Sequence, residues 1–297
     1  MELLKEKADL GYTGVNVGTM RVLASLVDVN EEGGMQQRNK LRSFFETEKG
    51  YSLFKEYVVR EKRSIIDVLN DFDAVKIRTL DDILRVLTPI QPREYSIASE
   101  GESGGTLQLL VAFKEGKTMY GRDYIGLASK FWREAKVGDV VKGTTRKGSF
   151  EKVVAIDKPV LCIGAGTGVA PLRSVIRGRA RPNDDKLVFG CRNVAADYYF
   201  RSEWEEMQIE VNAVFSRDQV KRIYVQDFVK NEGREVIAAH ILAGGGVAIA
   251  GGASMAAAVQ NEIVEILGER IEGGTAIAKR LISGLKRKGL FAVEAWT

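Results

Sequence analysis

Hydrophobic and polar positions follow three different periods along the chain. Over residues 37–72, apolar side chains recur at helical spacing: Leu41 with Phe44 and Phe45, Phe54 with Tyr57 and Val58, and Ile65 with Ile66 and Leu69. This predicts short helices, broken at Gly50 and at the charged stretch VREKRS. From Pro92 to Lys158 the runs shorten to REYSIAS, TLQLLVAF and DVVKGTT, β-rich segments separated by glycine-rich turns such as GESGG. The last third alternates apolar strands with amphipathic helices. The strands read PVLCIG (159–164), KLVFGC (186–191), EVNAVFS (210–216), GVAIAG (246–251) and LFAVEAW (290–296), and stretches such as VAPLRSVIRGRA and DYYFRSEWEEMQ lie between them. Strands and helices alternating at this interval imply right-handed crossovers and a parallel sheet covered on both faces. Ligands of such sheets bind at the carboxyl ends of the strands.

All five prolines fall between Pro89 and Pro182, which divides the chain into thirds, and a length of 297 residues suits two structural units. Hydrophobic residues make up 45% and charged residues 28%, and no apolar run reaches the roughly 20 residues that cross a bilayer. The first ten residues are charged and lack a secretory core, so a cytoplasmic location is expected and a membrane partner is not. A net charge of +4, with both signs mixed along the chain, gives no basic block of the nucleic-acid-binding kind. Two cysteines, Cys162 and Cys191, and the single His240 cannot build a disulfide framework or a zinc site of familiar spacing. His240 is read as a structural histidine of its helix.

The strongest local signal is Gly164-Ala165-Gly166-Thr167-Gly168-Val169-Ala170-Pro171, directly after one strand and before a helix. Glycines there allow a sharp turn, and the amides at the helix start face an anion. Gly190-Cys191-Arg192 ends the next strand and Ser216-Arg217 the third, with Arg222, Tyr224 and Gln226 close behind. Arginine forks bind phosphate in bidentate fashion, so this edge suits a nucleotide with an extra phosphate monoester, NADPH rather than NADH. In Arg93-Glu94-Tyr95-Ser96, strand alternation puts Arg93 and Tyr95 on one face and Ser96 on the other, a cation beside an aromatic plate. Gly126-Leu127-Ala128-Ser129 opens a second small-residue helix start, and Trp296 stands next to the chain end.

Together these blocks resemble the NADPH-dependent diflavin reductases, in the family's order from about residue 37 onward. The resemblance implies a ferredoxin–NADP reductase-like α/β fold. Residues 1–88 would form a helical connecting domain, 89–157 an incomplete antiparallel FAD-binding β-barrel, and 158–297 a doubly wound, five-stranded parallel NADPH-binding domain. Arg93, Tyr95 and Ser96 match the family's flavin motif for pyrophosphate, ring and N5 edge, and Gly126, Leu127, Ala128 and Ser129 its second FAD-diphosphate turn. Gly166, Thr167 and Gly168, with Cys191, Arg192, Ser216, Arg217, Arg222, Tyr224 and Gln226, match the NADPH motifs, and Trp296 the aromatic that covers the flavin. The stretch Ala250-Gly251-Gly252-Ala253, followed by Ser254-Met255, and the Glu294-x-Trp296 ending resemble the cytosolic branch that serves iron–sulfur protein assembly.

The activity so implied is hydride transfer from NADPH to FAD and electron transfer onward to an FMN domain or an iron–sulfur acceptor of the anamorsin type. Ser96, Glu294 and Trp296 would be its catalytic residues. Ala165 stands where the family usually has proline, and neither the FMN domain nor the first barrel strands have a counterpart in the chain. The alternative is a non-catalytic module that binds a nucleotide or a partner without holding FAD.

Overall fold

The computed structural model describes residues 8–9, 14–100 and 105–296; most of the GESGG turn and Thr297 lie outside them. The chain forms two compact units, 1–94 with 112–141 and 95–111 with 142–297.

The first unit is mainly helical. Its helices are α1 (Val17–Ser25), α2 (Gly34–Glu46), α3 (Glu48–Phe54), α4 (Ile65–Asp71) and α5 (Leu80–Val86), with a π-helical turn over Lys55–Arg60. Asn16, Ser64 and Thr79 start α1, α4 and α5 through capping boxes, each side chain accepting an amide three residues on while Thr19, Asp67 and Asp82 reach back. Met20, Leu23, Leu41, Phe44, Val58 and Val68 make the core, and Phe44 stacks on Tyr57 with ring centroids 5.2 Å apart. Gly50 does not break a helix as expected. It lies inside α3, where a Cβ would sit 1.6 Å from the Ser43 carbonyl oxygen, so glycine there permits a close approach to α2. The break falls at Thr47, whose hydroxyl caps α3. Short antiparallel pairs β1 (Ala8–Asp9) with β2 (Thr88–Pro89), and β3 (Glu115–Lys117) with β4 (Asp123–Ile125), precede α6 (Leu127–Glu134).

The second unit is built on a five-stranded parallel sheet: β5 (Val160–Ala165), β6 (Lys186–Cys191), β7 (Glu210–Phe215), β8 (Gly246–Gly252) and β9 (Phe291–Trp296), in the order β7-β6-β5-β8-β9. All five predicted strands form, with ends shifted by at most one residue. Alternation along β5 explains the two layers. Leu161 and Ile163 join the core under α10 (Val225–Lys230), α11 (Arg234–Leu242), α12 (Ala253–Gly268) and α13 (Gly274–Lys288). Val160 and Cys162 face the other layer, made by α7 (Glu151–Val154), α8 (Val169–Arg177) and α9 (Arg201–Glu206) with the buried Trp204. Parallel strands buried on both faces read as continuous apolar runs, and these do.

The β reading of the middle third holds only in fragments. Of REYSIAS and TLQLLVAF, one antiparallel bridge forms, Ile97 with Leu109, with the Ala98 amide donating to the Gln108 carbonyl at 2.8 Å. DVVKGTT is exposed and makes no ladder. Strand propensity needs a neighbouring ladder to become a strand, and among the described residues these segments lack one. Residues 92–96 are therefore irregular, and the alternation used to place Arg93, Tyr95 and Ser96 does not apply.

His240 is structural, as expected. Its Nε2 lies 2.8 Å from the Gly246 carbonyl oxygen, tying the end of α11 to the start of β8, and burial holds its pKa below the usual histidine value. No described helix is long and apolar enough to cross a membrane.

Candidate nucleotide and flavin site

The sheet runs outward from β5 through β6 to β7, then returns to β8 beside β5. The carboxyl ends of β5 and β8 therefore flank the switch point where open sheets of this kind hold ligands. Gly166–Gly168 form a single 3-10 turn between β5 and α8. Gly166 has φ +56° and a Cβ there would meet nothing within 4 Å, as at Gly252, so the outer side of the turn is open. The inner side is closed: a Cβ on Gly168 would lie 2.2 Å from the Ala250 carbonyl oxygen. The turn thus rests its backbone on β8 at Gly168 and leaves open space at Gly166, directly ahead of α8, room for a diphosphate at a helix start.

The ends of β5 and β6 meet the start of α10 at Gly190. A Cβ there would lie 2.3 Å from Val225 Cγ2 and 3.4 Å from Ala165 Cβ, so the ends of β5 and β6 and the first residue of α10 share one corner. The Ser216 amide donates to the Cys191 carbonyl and the Arg217 amide to that of Arg192, both at 2.9 Å, which carries the β7 loop onto the same edge. Arg217 and Arg222 are exposed and pair with no carboxylate among the described residues. Tyr224 precedes α10 and is half exposed. Gln226, in the first turn of α10, has a buried Oε1 that no described donor meets.

Three predicted contacts are placed differently. The Cys191 thiol is buried in the α8–α9 layer, which pushes it up to about 12, so only its backbone lies at the edge. Ser216 is buried and its hydroxyl donates to the Cys191 carbonyl at 3.3 Å. Arg192 pairs with Asp197 at 3.1 Å. Asp197, which the sequence reading missed, accepts the Arg192 and Asn193 amides at 2.7–3.0 Å and so shapes this loop, and those bonds hold its carboxyl below the usual range against the opposing effect of burial. Met255, in the first turn of α12, lies under Gly251, where a Cβ would be 2.4 Å from its methyl carbon.

The flavin motif residues divide between the units. In the first, Arg93 lies 3.7 Å from the buried Asp9 carboxylate and also donates to the Gln91 carbonyl. Gly126 caps α6, and the Ser129 hydroxyl accepts the Lys114 amide at 2.8 Å beneath the helix start formed by Leu127 and Ala128. In the second, the Ser96 hydroxyl donates to Glu294 Oε1 at 2.6 Å, joining residues 198 apart in sequence. Glu294 pairs in register with Ala250 and Trp296 with Gly252, so β9 carries both to the edge that holds the glycine turn. Trp296 keeps 37% of its surface exposed there. Within the second unit, a hydroxyl–carboxylate pair and an exposed aromatic thus stand at one sheet edge, and the first offers an arginine and a helix start.

Behind the turn, Arg173 of α8 is buried, with Nε and Nη2 forking onto Glu203 at 2.7 and 2.8 Å. The fork holds the Glu203 carboxyl below the usual range. Because the folded-state pKa is the lower one, the stability it contributes is complete above the unfolded value near pH 4.3 and is lost as pH falls through the folded value. Acid unfolding of Glu203→Gln, followed by circular dichroism, should therefore show a shallower loss of stability below pH ~5 than the unmodified chain.

Residues 4–131 match the FAD binding domain family and residues 162–261 the oxidoreductase NAD-binding domain family. Among curated relatives, the chain is 30% identical over 275 residues to NADPH-dependent diflavin oxidoreductase 1 of Emericella nidulans, covering 82% of this chain and 42% of that protein. It is 32% identical over 266 residues to the Danio rerio protein of the same name, covering 85% of this chain and 44% of that protein. For the Saccharomyces cerevisiae protein the figures are 33% over 209 residues, 67% and 33%. The chain spans less than half the length of these relatives. With an FAD binding domain, an oxidoreductase NAD-binding domain and these relatives, the chain belongs to the diflavin reductase family, of which it carries the FAD- and nicotinamide nucleotide-binding part.

Proposed function

We propose that the chain binds NADPH and FAD, transfers hydride between them, and passes electrons to an FMN domain or an iron–sulfur protein. The supporting observation is the corner at Gly190, where the open glycine turn and the loop bearing Arg217 and Arg222 share one edge. The turn at Gly166–Gly168 holds the pyrophosphate, and Arg217 and Arg222 take the 2′-phosphate, with Arg192 beside them. Tyr224 contributes its hydroxyl. The Gln226 carbonyl oxygen, buried without a donor among the described residues, accepts one from the ligand and removes a desolvation cost of about 1–3 kcal/mol. Arg93 and the turn at Gly126–Ser129 hold the flavin diphosphate, and Tyr95 and Trp296 contact the ring.

Bound flavin supplies a hydride acceptor and a route for single electrons; the protein supplies orientation and electrostatics. Ser96 orients its edge and Glu294, bonded to Ser96, holds or relays the proton that accompanies electron transfer. Trp296 must move aside to admit nicotinamide, a gating step. Trp296→Ala should change the rate of NADPH-driven flavin reduction several-fold in stopped flow; an unchanged rate would remove the gate.

The deciding experiment is purification with added FAD. A yellow protein that reduces ferricyanide with NADPH supports the proposal, and a colourless, inactive one leaves a binding module. Which acceptor follows is read by titrating reduced protein with a flavodoxin-like FMN domain and with an iron–sulfur protein.

A further inference from the structure

Arg173 is the fifth residue of α8, the helix that begins at the glycine turn. Its side chain is about 5% exposed. Besides the fork on Glu203, its Nη1 donates to the Ala98 carbonyl and to Gln108 Oε1, both at 2.7 Å. The Phe200 ring lies 4.7 Å from the guanidinium carbon and covers it. Glu203 is further held by Arg177, which also reaches Glu100. A buried ion pair adds little net stability compared with apolar packing of the same volume, but its planar geometry admits one arrangement of its partners. Here it ties the helix behind the nucleotide turn to α9 through Glu203 and to the backbone at Ala98, two residues from Ser96. Ser96 in turn holds Glu294.

We propose that Arg173 is a positioning residue for hydride transfer: its fork fixes the segment 96–108 against α8, so that the Ser96–Glu294 pair stands in register with a nicotinamide held by the glycine turn. This rests on the nucleotide reading above. The planar fork explains why a buried cation is kept where leucine would pack, since an apolar side chain bonds none of Glu203, Ala98 and Gln108, and lysine, with its donors on a single nitrogen, cannot fork on Glu203.

The test uses Arg173→Gln and Arg173→Lys in the full chain, alone and combined with Ser96→Ala. Amide hydrogen exchange, read without any cofactor, should show lost protection at Ala98 and Gln108 in Arg173→Gln, while β5 keeps its protection. In stopped flow with FAD bound, Arg173→Gln should slow hydride transfer by about 10- to 100-fold with KM for NADPH nearly unchanged, and Arg173→Lys should do likewise because it lacks the fork. Added to Ser96→Ala, either change should cost no further rate. Unchanged exchange at Ala98, or effects that multiply in the double variant, would overturn the inference. If the unmodified chain itself showed no NADPH-driven flavin reduction, the proposed function would fail instead, and the exchange result would still decide whether Arg173 holds the segment. Should Arg173→Gln fail to fold, Arg173→Lys, which keeps the charge, carries both measurements.

Discussion

Changing Arg217 and Arg222 together to alanine is expected to weaken NADPH binding by about a hundredfold or more and to leave NADH binding within a few-fold. A hydrogen bond to a charged group is worth about 1.5–3 kcal/mol, and about 1.4 kcal/mol corresponds to tenfold in affinity. Two arginines on one phosphate then give two to four powers of ten, and their exposure places the effect toward the lower end. Neither side chain pairs with a carboxylate among the described residues, so the substitution strands no buried partner. The loss should shrink with added salt, as expected for an exposed charge–phosphate contact. Calorimetric titration with both nucleotides measures it. Equal weakening of NADH and NADPH would mean that the arginines act on the diphosphate or on the fold, and no weakening would separate this loop from the site.

Arg179→Met is expected to destabilise the second unit by about 3–5 kcal/mol, the usual loss when one member of a buried ion pair is removed. Arg179 Nε meets Asp185 Oδ2 at 2.5 Å, with the two side chains 5% and 0% exposed. Its Nη1 and Nη2 close off the carbonyls of Val153, Val154, Ile156 and Lys158, the end of α7 and the chain that leads into β5. Asp185 Oδ1 accepts the Val160 amide at 2.7 Å, so the pair fastens the first residue of the central strand. Burial already raises the Asp185 pKa despite Arg179 and the Val160 amide, and without the guanidinium the carboxylate would be stranded. With a urea slope of about 2–3 kcal/mol/M, the unfolding midpoint should fall by roughly 1–2.5 M. Arg179→Met with Asp185→Leu should lose less than Arg179→Met alone. A single-variant loss under about 1 kcal/mol would show that the pair is dispensable.

The parallel sheet and its glycine turn were legible because their signals are local. A six-residue run ending in glycine at 159–164 has few other ways to fold, and the helix after it shows its core face as Val169, Leu172 and Ile176. Position 173 belongs to that same face at helical spacing, so an arginine there was a visible anomaly; its partners at Ala98, Gln108 and Glu203 were not, since nothing in sequence links 98, 108, 173 and 203. Ser96 and Glu294 entered as separate motif residues, and the hydrogen bond between them emerged only with the fold. The middle third misled for the opposite reason. Valine-rich stretches such as DVVKGTT carry strand propensity, yet propensity without a ladder leaves an extended, exposed segment. Gly50 misled because a glycine serves close packing as readily as it ends a helix.

The route of the backbone also limits how this protein can be dissected. Because the chain passes from one unit to the other after residues 94, 111 and 141, neither unit is a continuous stretch of gene. Expression of 158–297 alone would keep every strand of the sheet but discard Ala98 and Gln108, leaving Arg173 Nη1 without the two oxygens it donates to while the fork on Glu203 stays, and would strip Phe150 and Val153 from the layer beside α8. An autonomous nucleotide module would have to be spliced, with 95–111 rejoined to 142–297 through a short polar linker, whereas clipping at a single point would yield two incomplete halves.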